Sequence, residues 1–85
     1  MKWEVYIVEA GNGALYTGIA VDAEKRFLKH SSGRGARFFR ISGPARIVWK
    51  QKVPDRSTAL KREMEIKRMK RPEKLELIKK GKKKV

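Results

Sequence analysis

The chain predicts an α+β domain: a small three-stranded antiparallel sheet flanked by helices, in the order strand, strand, helix, strand, helix. Three observations predict it. Two short β-prone runs, at residues 3–8 and 15–20, flank a glycine-bearing turn. A third β-prone run, residues 45–53, follows Pro44. Helix-entry chemistry follows the second and third runs, at Asp22 and at Pro54-Asp55-Arg56-Ser57.

Each element has its own reason. Trp3 to Val8 is apolar apart from Glu4, which reads as a largely buried strand. Gly11-Asn12-Gly13 can supply positive φ, and Leu15 to Ala20 resumes strand character, so the two runs form an antiparallel hairpin. Asp22 is a cap for a helix to about His30, with Ala23, Phe27 and Leu28 on one core-facing arc. Residues 31–35 form a loop with Gly33 and Gly35, leading into a short helical stretch at 36–40. In the third strand, Ile47 and Trp49 alternate with polar positions around Val48. Asp55 or Ser57 caps a helix to about Lys70, and Pro72 in a first turn opens another that ends near Lys80. Residues 1–80 therefore read as one domain and 81–85 as a basic tail. The position of the third strand in the sheet is left open.

Composition narrows the function. The chain has 85 residues with 23 Lys plus Arg against 9 Asp plus Glu, a net charge of +14. Such an excess suits a polyanion, because neutralised phosphates release counterions. Solubilising charge of a thermophile type would raise both signs, and here the acids are few. Absence of cysteine excludes disulfides and thiolate metal sites. No apolar run is long enough for a membrane helix, and the N-terminus lacks a signal-peptide pattern. The expectation is a soluble, cytoplasmic, nucleic-acid-binding protein.

Several residues carry candidate chemistry. On the helix after Ser57, Ala59, Leu60, Met64 and Ile66 define an apolar arc, and Glu63 projects into its middle. A carboxylate there needs a partner. Two readings are open: an ion pair with Lys67 one turn on, or ligation of a metal. Arg26 and His30 fall four apart on one helix edge, which in a basic protein is also ordinary surface. Tyr6 and Tyr16, the only tyrosines, can share a sheet face across the hairpin, although strand tyrosines are usually packing residues.

Taken together, these positions resemble the GIY-YIG nuclease domain, in particular its small stand-alone proteins similar to the YhbQ group. Val5-Tyr6 stands at the end of the first motif and Tyr16-Thr17-Gly18 at the second. Arg26, His30 and Glu63 fall at the family's helix arginine, its His-or-Tyr position and its metal-binding glutamate. The runs Ser32-Gly33-Arg34-Gly35-Ala36-Arg37 and Asp55 to Glu63 are also similar to that group. Glu4 replaces the first glycine, Thr17 replaces an isoleucine, and the asparagine late in many members has no counterpart.

The resemblance implies a metal-dependent endonuclease that hydrolyses DNA phosphodiesters, structure-selective or nonspecific, in DNA repair or processing. Glu63 would hold Mg²⁺ or Mn²⁺ and Arg26 would stabilise charge on the phosphoryl oxygens. Tyr16 would activate or position water with Tyr6 and His30 in support, helped by cations that lower the phenol pKa. Arg34, Arg37, Arg40 and Lys67 are the cations set to meet phosphates. DNA is a better match than RNA, no membrane is involved, and a protein partner would have to supply sequence specificity. The alternative is a basic nucleic-acid-binding module without catalysis.

Overall fold

A computed structural model of the chain describes residues 2–29 and 45–82. Strand β1 (Trp3–Ala10) lies at the centre of a three-stranded sheet of order β2-β1-β3 and runs antiparallel to both neighbours, β2 (Leu15–Ala20) and β3 (Ala45–Val53). The central position accounts for its apolar run. Val5 and Ile7 are fully buried on one face, and Val8 and nearly all of Tyr6 on the other. A strand with one wet face would have alternated apolar and polar.

Helices cover both faces. Helix α1 (Ala23–Lys29) packs its Ala23 and Phe27 with Tyr6 and Val8, and helices α2 (Arg56–Arg68) and α3 (Arg71–Lys82) pack Ala59, Ile66 and Ile78 with Val5, Ile7 and Val53. The hairpin turn closes with Gly13 N–H donating to the Ala10 carbonyl at 2.9 Å and Ala14 N–H donating to Asn12 Oδ1 at 3.0 Å. Gly13 takes φ of 88°, a conformation that side chains other than glycine's resist.

The helix entries behave as their sequences dictate. Asp22 Oδ1 accepts from Lys25 N–H at 3.1 Å, and Asp55 Oδ1 from Thr58 N–H at 2.7 Å, so Asp55 and not Ser57 caps α2. Glu73 Oε1 accepts from Lys70 N–H at 2.9 Å, half of a capping box that starts α3 with Pro72 as its second residue.

Four details differ from the sequence reading. Leu28 is 66% exposed and Met64 53% exposed, so neither belongs to its expected apolar arc. The buried side of α2 runs through Ala59, Glu63 and Ile66, a spacing of four and three. The ladder between β1 and β3 slips between Ile7 and Val8, where Trp49 pairs with Ile7 but Ile47 with Val8. Val48 is the extra residue, so Ile47 packs on the α1 side while Val48 and Trp49 pack on the other. Lastly, α3 covers Gly81 and Lys82, assigned above to the tail. A Cβ on Gly81 would lie 2.8 Å from Trp49 Cδ1, so the helix end is seated against β3.

Candidate active site

Period-two alternation in the hairpin sets the first pair. Register places Tyr6 opposite Gly18 and Tyr16 opposite Val8, which puts both phenols on the sheet face that α1 covers. Tyr6 lies across Gly18 so closely that a Cβ there would sit 2.7 Å from its Oη and 2.8 Å from its Cζ. Glycine at this position is therefore a requirement of the ring, and both strand neighbours of the motif serve one phenol.

Arg26 acts on the same place from α1, where its positive charge and its side-chain interaction with the Tyr6 phenol both favour the ionised form. Burial raises the Tyr6 pKa above the usual value, and the neighbouring Tyr16 adds to that rise. Arg26 pulls the other way, while the Glu63 carboxylate raises it further. Burial wins. Arg26 thus acts in the direction expected of a cation, but burial outweighs it and the net shift of Tyr6 is upward.

Glu63 belongs to the other helical layer. It sits between the fully buried Ala59 and Ile66 with its side chain 17% exposed, and its charge is felt at Tyr6. Lys67 Nζ lies 3.3 Å from Glu63 Oε2, which is the ion pair anticipated from their spacing. Of the other expected site residues, His30, Arg34, Arg37 and Arg40 lie outside the described residues.

Among the described residues, no three His, Cys, Asp or Glu side chains gather into a ready-made metal cage. Glu63 is a lone hard-oxygen donor. That chemistry fits a cation such as Mg²⁺, which keeps several waters and takes phosphate oxygens, and does not fit a zinc-type site.

Sequence reasoning passed over one residue that shapes the site. Glu4, only 8% exposed, accepts a hydrogen bond from Ala23 N–H at 2.8 Å, tying the central strand to the first turn of α1. Lys50 of β3 holds the same helix through Glu24 at 3.0 Å. The helix that carries Arg26 is thus held by the buried Glu4 tether as well as by the packing of Ala23 and Phe27. The available signal was a single carboxylate inside an otherwise apolar strand. Thr17, also buried, faces the α2 side opposite Ile7, and its hydroxyl has no hydrogen-bond partner among the described residues.

Two hairpin phenols on one sheet face, an arginine on the first helix beside them and a half-buried glutamate in the second helical layer define a class of domain. The sequence profile of the GIY-YIG catalytic domain matches residues 2–76, and the chain belongs to this nuclease family. It is similar to a UPF0213 protein of Staphylococcus saprophyticus, 46% identical over 94% of this chain and 98% of the relative. A UPF0213 protein of Staphylococcus aureus is 45% identical over 88% of this chain and 92% of its own. The solution NMR structure of a UPF0213 protein from Bacillus halodurans superposes with a TM-score of 0.62 at 39% identity, covering 95% of this chain and 87% of that one. Nucleases of this family act on nucleic acid, in keeping with the charge of +14. No helix among the described residues is long and apolar enough to cross a membrane.

Proposed function

We propose that this protein is a metal-dependent endonuclease that cleaves DNA phosphodiester bonds, structure-selective or nonspecific, in DNA repair or processing. The observation that carries the reading is the placement of Tyr6 and Tyr16 on one sheet face beneath the helix that carries Arg26, with the Arg26 and Glu63 charges both acting on the Tyr6 phenol.

Each residue has a role its environment suits. Arg26 binds the phosphoryl oxygens and stabilises the charge they gain, in a site where a fixed guanidinium costs no reorganisation. Tyr6 supports the site as a buried phenol whose pKa burial raises while Arg26 acts against that rise. Tyr16, with Tyr6 and His30 in support, positions the attacking water and helps to take its proton. Glu63 would hold Mg²⁺ or Mn²⁺ with the Lys67 ammonium turned away, a movement that its 56% exposure permits. The bound cation would supply Lewis-acid stabilisation of the leaving oxygen. Lys67, so released, meets a flanking phosphate, as would Arg34, Arg37 and Arg40.

One observation favours the alternative of a non-catalytic binding module: Glu63 already has a partner in Lys67. A Glu63→Gln variant separates the two. Under the nuclease reading, cleavage of a panel of labelled DNA structures in Mg²⁺ or Mn²⁺ is abolished, Mn²⁺ binding followed by water-proton relaxation is lost, and DNA affinity is retained. Under the binding-module reading, wild type and variant both bind DNA, neither cuts, and neither takes up Mn²⁺.

A further inference from the structure

Beside Arg26, where β2 ends and the chain turns into α1, an open groove of about 720 Å³ is lined by Trp3, Ile19, Val21, Asp22, Lys25 and Arg26. Its composition is odd for a surface that meets only phosphates. Phosphates need cations, and Lys25 and Arg26 supply them on one rim. The rest is apolar: Trp3 and Ile19 are half-buried, and Val21 is 46% exposed. The Arg56 guanidinium lies 5.9 Å from the centroid of the Trp3 ring. The one acid, Asp22, is engaged as the cap of α1 through Lys25 N–H.

A continuous duplex presents sugar and phosphate outward and keeps its bases stacked inside, so it gains nothing from such walls. An unstacked base does gain: its π-face and edges lose water against Trp3, Ile19 and Val21, while its own phosphates fall to Lys25 and Arg26. Stacking on an aromatic ring beside a guanidinium is sequence-tolerant, since every base offers a π-face. We infer that this groove receives one unpaired nucleobase next to the scissile phosphate, so that the preferred DNA is single-stranded at the cut, as in a flap, gap or bulge. The inference rests on the reading that Arg26 meets the scissile phosphate, and it gives that reading a substrate class.

The test measures binding in EDTA, so that its outcome is independent of cleavage. Trp3 and Trp49 are the only tryptophans, and a Trp49→Phe background leaves Trp3 as the sole fluorophore. Three labelled probes are titrated: a single-stranded oligonucleotide, a strand of the same length and charge with abasic sites throughout, and a closed hairpin duplex. Anisotropy reports binding and Trp3 emission reports stacking. The expected result is quenching by the single strand alone. The abasic strand should bind roughly 5- to 150-fold more weakly, the equivalent of about 1–3 kcal/mol for one stacked base. Trp3→Leu, checked by thermal melting, should erase that difference and leave duplex affinity unchanged; should this variant fail to fold, the fluorescence and abasic comparisons decide alone. Equal affinity for the abasic and natural strands, or equal quenching by the duplex, overturns the inference. Either result leaves the nuclease reading standing, and a protein that stacks bases but never cuts would overturn that reading, and with it the link to a cut, while the groove's preference for an unpaired base stands.

Discussion

Gly18→Ala adds one methyl group at the tightest contact in the site. Its Cβ would stand 2.7 Å from Tyr6 Oη and 2.8 Å from Cζ, whereas carbon contacts settle at about 3.5–4.0 Å. The ring must retreat by roughly 0.7 Å or more, and at 2% exposure it has nowhere open to go, with Val8, Ala20 and Ala23 around it. Overpacking of this kind costs about 1–3 kcal/mol. For a domain of this size that lowers Tm by roughly 5–20 °C. The shifted phenol would also lose its interaction with Arg26, so cleavage should fall further than stability alone dictates. Thermal and urea melts give the first number. A double-mutant cycle with Tyr6→Leu isolates its cause: with the shorter side chain in place, Gly18→Ala should become neutral or stabilising by up to ~1 kcal/mol, as glycine-to-alanine changes are where space allows. A single Gly18→Ala variant with wild-type Tm, or an unchanged penalty in the Tyr6→Leu background, would refute the claim that the ring dictates the glycine.

Further outcomes follow from other contacts. Thr17→Val replaces a buried hydroxyl, unpartnered among the described residues, by a methyl of the same shape, so melting should show a gain of about 1 kcal/mol with cleavage unchanged. Glu4→Leu strands the Ala23 N–H and should cost about 1.5–3 kcal/mol in urea unfolding, with cleavage reduced as α1 loosens; Glu4→Gln keeps an acceptor and should restore most of both. Tyr6 carries a raised pKa, so its protonated form favours the fold: stability is flat below about pH 10, the unfolded value, and falls as pH rises through the higher folded value. Unfolding free energies measured from pH 8 to 12 should show that decline in wild type and a shallower one in Tyr6→Phe.

The elements of this fold were legible because they rest on local chemistry. Period-two runs, Gly13 in a turn, and Asp22 and Asp55 before helices all act within a few residues. Tyr6 and Tyr16 could be placed on one face because a hairpin fixes register. What escaped depends on distant partners. The bulge at Val48, which sends Ile47 and Trp49 to opposite faces, is set by pairing with β1. The exposure of Met64 follows from how α2 rolls onto the sheet, which its own weakly amphipathic sequence does not fix. Glu4 as a tether for α1 is visible only when strand and helix meet. The raised pKa of Tyr6 escaped for a related reason: net charge can be counted along a chain, but burial cannot.

The strand order β2-β1-β3 also fixes a schedule for assembly. The centre of the sheet precedes both of its neighbours along the chain, and one of them follows at once through a four-residue turn. The other edge must wait for residues 45–53, and the helices that cover Val5 and Ile7 come later still. Closing that long interval costs chain entropy before any contact rewards it, so docking of β3 is the slow step. Until then the hairpin shows a bare, apolar backbone edge that other unfinished copies can pair with. Crowding of such copies, and not any weakness of the finished core, is the hazard this topology builds into overproduction of the protein.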